Sequence, residues 1–450
     1  PFSTEHKHMA TIIDLEGRRY VMVKGAPEIV TAHCAIDDEQ MQKIQQQLLN
    51  YQMQAMRTLA FAYMEISGDT STFDLKTSGK ALTLQGIAAI SDPLREEVPG
   101  AVRECAKAGI DVKIVTGDTS ATAIEIARQI GIWHDDIPDG AQITGPDFAA
   151  LSDEEAYQRV EALKVMSRAR PTDKQRLVNM LQKHGEVVAV TGDGTNDAPA
   201  LNHAHVGLSL GSGTSVAKNA SDMTLIDDSF SSIVSAVQWG RSLYRNIQRF
   251  IFFQLVVNVT ALLLVLGGSF IGTELPLTIT QMLWVNLIMD TFAAMALASL
   301  PPESDVMAKK PRKQTDFIIN RTMGWAISIV GILFFGMMLA LLWYFEKVAG
   351  VSPRELTIFF TIFVMLQWWN LFNAKTLGGS RTAFHRLAAD KGLLLVLAII
   401  LGGQWLIVEF GGKMFRTTPL DLETWLWIIL GTSPVFIIGE VLRAVRRLRS

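Results

Sequence analysis

Residues 191–201 read Thr191-Gly192-Asp193-Gly194-Thr195-Asn196-Asp197-Ala198-Pro199-Ala200-Leu201, directly after the apolar run Glu186-Val187-Val188-Ala189-Val190. The run reads as a buried strand. A strand entering this loop sets two carboxylates, Asp193 and Asp197, at its C-terminal end, where open α/β sheets bind ligands. Two acids that close resist full ionisation unless they share a cation. A hard divalent ion such as Mg2+, held by carboxylates and phosphate oxygens, meets that need. The loop therefore reads as the magnesium corner of a phosphoryl-transfer site.

Working outward, strands and helices alternate from about residue 84, beginning with Gln85–Ile90. The strand Asp111–Val115 delivers Thr116-Gly117-Asp118, and Val165–Ala169 leads to Arg170-Pro171-Thr172-Asp173-Lys174. Such alternation implies a parallel sheet with helices on both faces. Thr116 offers a hydroxyl and a loop N–H to a phosphate oxygen, and Lys174 a point charge. Taken singly, these are a cap, a solvated lysine and turn chemistry; at successive strand ends they form a set. A nucleophilic Asp on a first strand, in an Asp-Lys-Thr-Gly context, is absent from the chain. Nearer the start, His8–Asp14 and Tyr20–Val23 alternate as strands across a Glu16-Gly17 turn. The second strand ends in Lys24-Gly25-Ala26-Pro27-Glu28, where a Lys beside a Gly lets a phosphate or an adenine ring approach the backbone.

Composition divides the chain. Of 450 residues 49% are hydrophobic, and the mean hydropathy of +0.24 is too apolar for an ordinary soluble enzyme. The excess lies beyond about residue 245. Six stretches, near 248–270, 277–299, 322–345, 356–374, 392–410 and 423–441, match the roughly 20 helical residues that cross a bilayer. Lys309, Lys310, Arg312 and Lys313 follow the second; Lys375, Arg381, Arg386 and Lys391 the fourth; Arg443, Arg446, Arg447 and Arg449 the sixth. That alternation puts these loops, the soluble half and the C-terminus in the cytosol, and it argues against six core helices of a large soluble protein. A net charge of −3 gives no case for nucleic acid. Cys34 and Cys105 form no disulfide or metal pattern, which suits a reducing compartment. The chain opens Pro1-Phe2-Ser3 without initiator Met or signal peptide and reads as the downstream piece of something longer.

Within the spans, Asn286 and Asp290 stand four residues apart, so an α-helix presents them on one face. A carboxylate in mid-span marks an ion or proton site. Asn258 lies at similar depth in the preceding span. Gln367 lies in the fourth, and either amide can also serve simply to hydrogen-bond between helices. Hard oxygens suit Ca2+, Mn2+ or Mg2+, and no Cys or His in the spans points to copper or zinc.

Thr116-Gly117-Asp118, Lys174 and the 191–201 loop resemble the P-type ATPases, whose phosphorylation domain belongs to the haloacid-dehalogenase superfamily. Lys24-Gly25-Ala26-Pro27-Glu28 resembles their nucleotide-domain motif, and Asp92-Pro93-Leu94-Arg95 their hinge. The resemblance covers essentially the whole chain. It implies part of a nucleotide-binding domain over 1–84, a phosphorylation domain and stalk over 85–245, and a membrane domain over 246–450 that matches spans five to ten of a ten-span pump. It further implies a phosphorylation site of Thr116, Gly117, Asp118, Lys174, Asp193, Asn196 and Asp197, with Mg2+ on Asp193 and Asp197. The nucleotide would stack on Phe2 and meet Lys7, Lys24, Gly25 and Arg57, with Thr116, Gly117 and Asp118 on its phosphates.

The span around Asn286 and Asp290 looks like that of the plasma-membrane-type calcium pumps, which implies Asn258, Asn286 and Asp290 as ligands of transported Ca2+. Relative to the sarcoplasmic-reticulum type, which carries two Ca2+, Ala261 replaces a Glu, Gln367 a Glu and Met289 a Thr. One Ca2+ per cycle is therefore expected. So are a plasma-membrane location, ATP and a bilayer as partners, and an upstream half carrying the actuator, four more spans and the phosphorylated Asp. Without that half the chain should be inactive and unstable. A membrane-anchored phosphatase of the same superfamily and an inactive pump fragment remain as alternatives.

Overall fold

The computed structural model describes residues 7–449 apart from 55, 67–72, 74, 76–78, 80, 91–93, 272–276, 380 and 389. Phe2 and the Asp92-Pro93 hinge lie outside the described residues. The chain divides into two units, Pro1–Ser235 with Lys309–Gln314, and Ala236–Ala308 with Thr315–Ser450.

The first unit opens with a four-stranded antiparallel sheet in sequential order, β1 (His8–Leu15), β2 (Arg18–Gly25), β3 (Arg57–Ile66) and β4 (Thr83–Ile90). Leu15 pairs with Arg18, and the two linking residues, Glu16 and Gly17, both take positive φ, 51° and 77°. That is the backbone of a two-residue type I′ hairpin. Along β2, Val21 and Val23 are buried while Met22 and Lys24 are exposed. The buried face packs with Ala60 and Ala62 of β3 and with Val30 of the helix Pro27–Ala32. β4 corrects the sequence reading: Ala60 pairs with Ile87 and Leu59 with Ala88, antiparallel. Residues 85–90 therefore close the antiparallel sheet and do not open the β/α series, and the division drawn at residue 84 cuts through β4. A short apolar strand carries no mark of which sheet it joins.

The β/α series follows as two three-stranded parallel sheets. One runs β5-β7-β6, from Ile114–Val115, Val165–Ser167 and Gln142–Thr144; the other runs β10-β9-β8, from Met223–Leu225, Val206–Leu210 and Ala189–Gly192. The middle strand β7 is buried throughout, as is most of β9. The edge strands β5 and β8 are at most half-buried. The strand read over 186–190 begins only at Ala189. Gly185, at φ 83°, ends the preceding helix, and Val187 is left 57% exposed on the open edge. β7 likewise stops before Arg168, whose φ is 51°.

The second unit is helical. Among the described residues six helices are long and apolar enough to cross a membrane: Phe230–Phe270, Ile279–Ala298, Arg321–Ala349, Pro353–Lys375, Lys391–Phe410 and Leu422–Val445. All six coincide with the stretches read from hydropathy, and the first begins well before its apolar part. Their shared core is aromatic and aliphatic, including Phe253, Val257, Met289, Phe334, Phe360 and Phe363. Gly331 lets Val259 approach closely, since a Cβ there would lie 3.0 Å from Cγ1 of that valine; small residues bring membrane helices together this way. The fold is thus an α/β part followed by a six-helix membrane bundle.

Candidate functional site

The loop after β8 is held by one of its own acids. Thr195–Asp197 form a 3-10 turn leading into the helix Ala198–His203. Asp197 folds back so that Oδ2 accepts the Gly194 N–H at 3.2 Å. Gly192 makes room, for a Cβ there would sit 2.7 Å from the Asp197 carboxyl carbon. Oδ1 accepts Lys174 Nζ at 2.6 Å, with both side chains mostly buried.

Lys174 reaches this point because it stands in the first turn of the helix Pro171–Lys183. Pro171 is at the start of that helix, where a missing N–H is harmless. The turn is fixed by Asp173, which is 3% exposed and accepts Arg170 N at 2.9 Å and Arg170 Nε at 3.0 Å. Asp173 was not read from sequence as part of the site. Its spacing, three residues after the residue before a helical Pro, is the capping signal that could have found it.

The two acids of the loop therefore differ. Asp197 is engaged. Asp193 is exposed; its main-chain oxygen accepts Thr214 N–H at 2.8 Å, while among the described residues its carboxylate makes no hydrogen bond or ion pair. Asn196 is exposed as well. A free carboxylate at a strand end, beside one already neutralised by a lysine, suits Mg2+, which takes one or two carboxylates and fills its remaining positions with water and phosphate oxygens.

Thr116, at the end of β5, donates from Oγ1 to Asp118 Oδ2 at 2.9 Å and accepts the Asp118 N–H at 3.1 Å. Backbone bonds tie this loop to the end of β7, Arg168 N to Asp118 O and Ala169 N to Thr116 O, both at 2.9 Å. Around Gly117 an added Cβ would meet nothing within 4 Å. Arg57, at the start of β3 and largely exposed, comes within 3.9 Å of Asp118. Among the described residues no hydrogen bond or ion pair joins Thr116 and Asp118 to Lys174 and Asp197. Just before β5, burial pushes Asp111 up, but hydrogen bonds from Lys113 and Lys164 outweigh it and hold the carboxyl below the usual carboxylate range.

Lys24 is exposed on β2, and Lys7 is exposed at the start of β1 with φ 53°. Gly25 has a different neighbour from the one read in sequence. A Cβ there would lie 2.7 Å from both Lys7 O and His8 Cβ. The close approach that this glycine permits is made by the chain itself, and Ala26 N donates to Lys7 O at 3.0 Å.

In the second unit Asp290 is 3% exposed, and among the described residues neither carboxylate oxygen has a hydrogen-bond partner. Asn258 is half-buried, and Ala261 is buried one turn along. Asn286 departs from the sequence reading: it is exposed while Asp290 is buried. The cause is local, because Trp284–Met289 is a π-helical segment. Its wider turns break the four-residue repeat that would align the two side chains, and such segments are frequent at functional sites. Gln367 is fully buried with both amide atoms unpartnered among the described residues, and so is Asn370. Asn370 escaped the sequence reading, although an amide three residues from Gln367 in an apolar span shares its face.

Two family models match. "P-type ATPase, cytoplasmic domain N" covers residues 1–97, and "Cation transporting ATPase, C-terminus" covers residues 274–445. Calcium-transporting ATPase 2 of Schizosaccharomyces pombe is 37% identical over 99% of this chain and 36% of its own length. The plasma membrane-type calcium-transporting ATPase 2 of Arabidopsis thaliana is 38% identical over 95% of this chain and 44% of its own. Human plasma membrane calcium-transporting ATPase 3 is 36% identical over 99% and 40%. The chain thus spans about two fifths of the length of these relatives. With both models in sequence order, six membrane-capable helices behind an α/β part, and likeness along nearly its whole length, the chain belongs to the P-type ATPase family.

Proposed function

We propose that this chain is the downstream part of an ATP-driven pump that exports Ca2+ from the cytosol across the plasma membrane. The observation that carries the reading is Asp290, a carboxylate buried in mid-span with both oxygens unpartnered among the described residues. An unpaired buried charge is costly, and a transported dication would offset it. Asn258 and Asn286 supply further hard oxygens, with Asn286 turning inward as the π-helical segment rewinds. Ala261 where a second acid would stand, and the neutral Gln367, leave oxygens for one Ca2+ per cycle.

On the cytoplasmic side, the β4 strand ends the nucleotide-binding part and β5–β10 form the phosphorylation part. Lys24, Lys7 and Arg57 bind ATP, with Phe2 against the base. β5 and β8 are end strands of their sheets and at most half-buried; one further strand from an upstream segment, set between them, would bring the Asp that accepts the γ-phosphoryl group. Thr116 and the Gly117 N–H then hold phosphoryl oxygens, Asp118 orients Thr116, and Lys174 brings positive charge while keeping Asp197 in place. Asp193 would hold Mg2+, which supplies charge neutralisation on the phosphoryl oxygens. Asn196 lies in the same loop and completes its hydrogen bonding to the phosphoryl group. The test is ATP-dependent Ca2+ uptake by the full-length protein in sealed vesicles, with Asp290→Asn as the transport variant and Asp193→Asn as the phosphoryl-transfer variant. Uptake that survives either substitution overturns the reading.

A further inference from the structure

The second span, Ile279–Ala298, is attached at its two ends to different partners. Near its start, Thr280 donates to Met414 O at 2.7 Å and Gln281 donates to Phe415 O at 2.8 Å. Both acceptors belong to the short helix Gly412–Phe415, just after the fifth span. Trp284 extends this attachment into the membrane. The outer edge of its ring occupies the space beside Gly403 of the fifth span, where a Cβ would overlap Cη2 and lie 3.0 Å from Cζ2. At the far end, Asn246 of the first membrane helix donates to Ala298 O at 3.3 Å and to Leu300 O at 2.9 Å. Between the two attachments lies the π-helical segment Trp284–Met289, which carries Asn286 and runs into Asp290. Trp284 is 7% exposed, and among the described residues its Nε1–H has no partner. A buried indole N–H normally finds an acceptor, so this ring is held by its fit against Gly403 and not by a hydrogen bond.

We infer that Trp284 and Gly403 are positioning residues for the cation site, acting on Asn286 without touching the ion. The ring on the glycine fixes the register of the span as far as residue 284. A displacement of Ala298 and Leu300 by the first membrane helix is then taken up in the segment between, where i→i+5 bonds can convert to the i→i+4 bonds of an α-helix. That conversion restores the four-residue repeat and brings Asn286 to the Asp290 face. With Trp284 unseated, the start of the span would turn along with the rest, and Asn286 would stay away from Asp290. Glycine is required at 403 because any side chain there meets the ring, which is buried and has no room to swing aside. The inference rests on the proposal that Asn286 and Asp290 ligate Ca2+, and it adds the contact that sets where Asn286 stands.

The test is the Ca2+ dependence of ATP hydrolysis by the full-length protein, with maximal rate and ATP half-saturation recorded beside it. Gly403→Ala displaces the ring and should raise the Ca2+ concentration for half-maximal activity by about tenfold, the scale on which residues behind a metal ligand act. Maximal rate and ATP half-saturation should stay near wild type, a split that general loosening of the bundle would not give. Trp284→Phe removes the outer edge of the ring, so the Gly403→Ala/Trp284→Phe double variant should regain a Ca2+ dependence close to wild type, whereas independent effects would add. Trp284→Leu creates no overlap, should raise the Ca2+ requirement as well, and decides the matter if Gly403→Ala does not fold. A folded Gly403→Ala or Trp284→Leu protein with wild-type Ca2+ dependence, or a double variant no better than Gly403→Ala, overturns the proposal. Asp290→Asn run alongside separates the two readings. If it abolishes Ca2+-dependent turnover while Gly403→Ala changes nothing, the positioning role alone falls; if it too changes nothing, the pump reading falls with it.

Discussion

Lys174 Nζ lies 2.6 Å from Asp197 Oδ1, joining the first turn of one helix to the loop that follows β8. The contact makes the two loop acids unequal. Asp197 is held by Lys174 and by the Gly194 N–H, whereas the exposed Asp193 carboxylate has no such contact among the described residues. Replacing Lys174 with Met should lower stability by about 1–3 kcal/mol, the penalty of leaving a mostly buried acceptor unmatched. It should also cut ATP hydrolysis by the full-length protein by about 100-fold or more, the scale of losing one charge-stabilising donor. Thermal melts and steady-state ATPase assays check the two effects separately.

Asp193→Asn should behave in the opposite way. Among the described residues no side-chain hydrogen bond or ion pair is lost, so stability should stay within about 0.5 kcal/mol of wild type. Hydrolysis should fall, and the Mg2+ concentration for half-maximal activity should rise. A Mg2+ titration of both variants separates them; an unchanged titration for Asp193→Asn would assign the metal elsewhere.

Gly25 is a packing glycine. A methyl group there meets Lys7 O and His8 Cβ at 2.7 Å, so Gly25→Ala should strip β1 from the sheet edge and cost about 1–3 kcal/mol. Hydrogen exchange of the His8–Leu15 amides is the readout. Protection equal to wild type would mean that the approach relaxes freely.

Asp111 gives a pH signature. Its carboxyl is held below the usual carboxylate range in the fold by Lys113 and Lys164 against the opposing effect of burial. A depressed folded pKa contributes stability that is present above the unfolded value and is lost as pH falls through the folded one. The stability gap between wild type and Asp111→Asn should therefore be full near neutrality and close progressively below about pH 4. Melting temperatures of both proteins across that range test it, and a gap that widens with acid would contradict the sign.

Much of this was legible in the sequence because it rests on periodicity and charge. Six apolar stretches with alternating basic loops locate the spans, and the Glu16-Gly17 hairpin is written in its turn residues. Other features depend on contacts between distant segments. Nothing in Gln85–Ile90 says that its partner is β3 rather than a parallel neighbour. Nothing beside Asp197 says that Lys174, 23 residues upstream, will take it. The separation of Asn286 from Asp290 arises from the π-helical segment, since any reading at 3.6 residues per turn puts them together. Gly25 was legible as a close approach but not as to what approaches.

The most direct test of the central claim is Ca2+ accumulation in sealed vesicles by the full-length protein, wild type against Asp290→Asn, with ATP consumption recorded together. The account predicts ATP-dependent accumulation at one Ca2+ per ATP in the wild type and none in the variant. The variant should melt at or above the wild-type temperature in Ca2+-free buffer, because a buried unpaired carboxylate has gone. A well-folded Asp290→Asn protein that accumulates Ca2+ at the wild-type rate would contradict it.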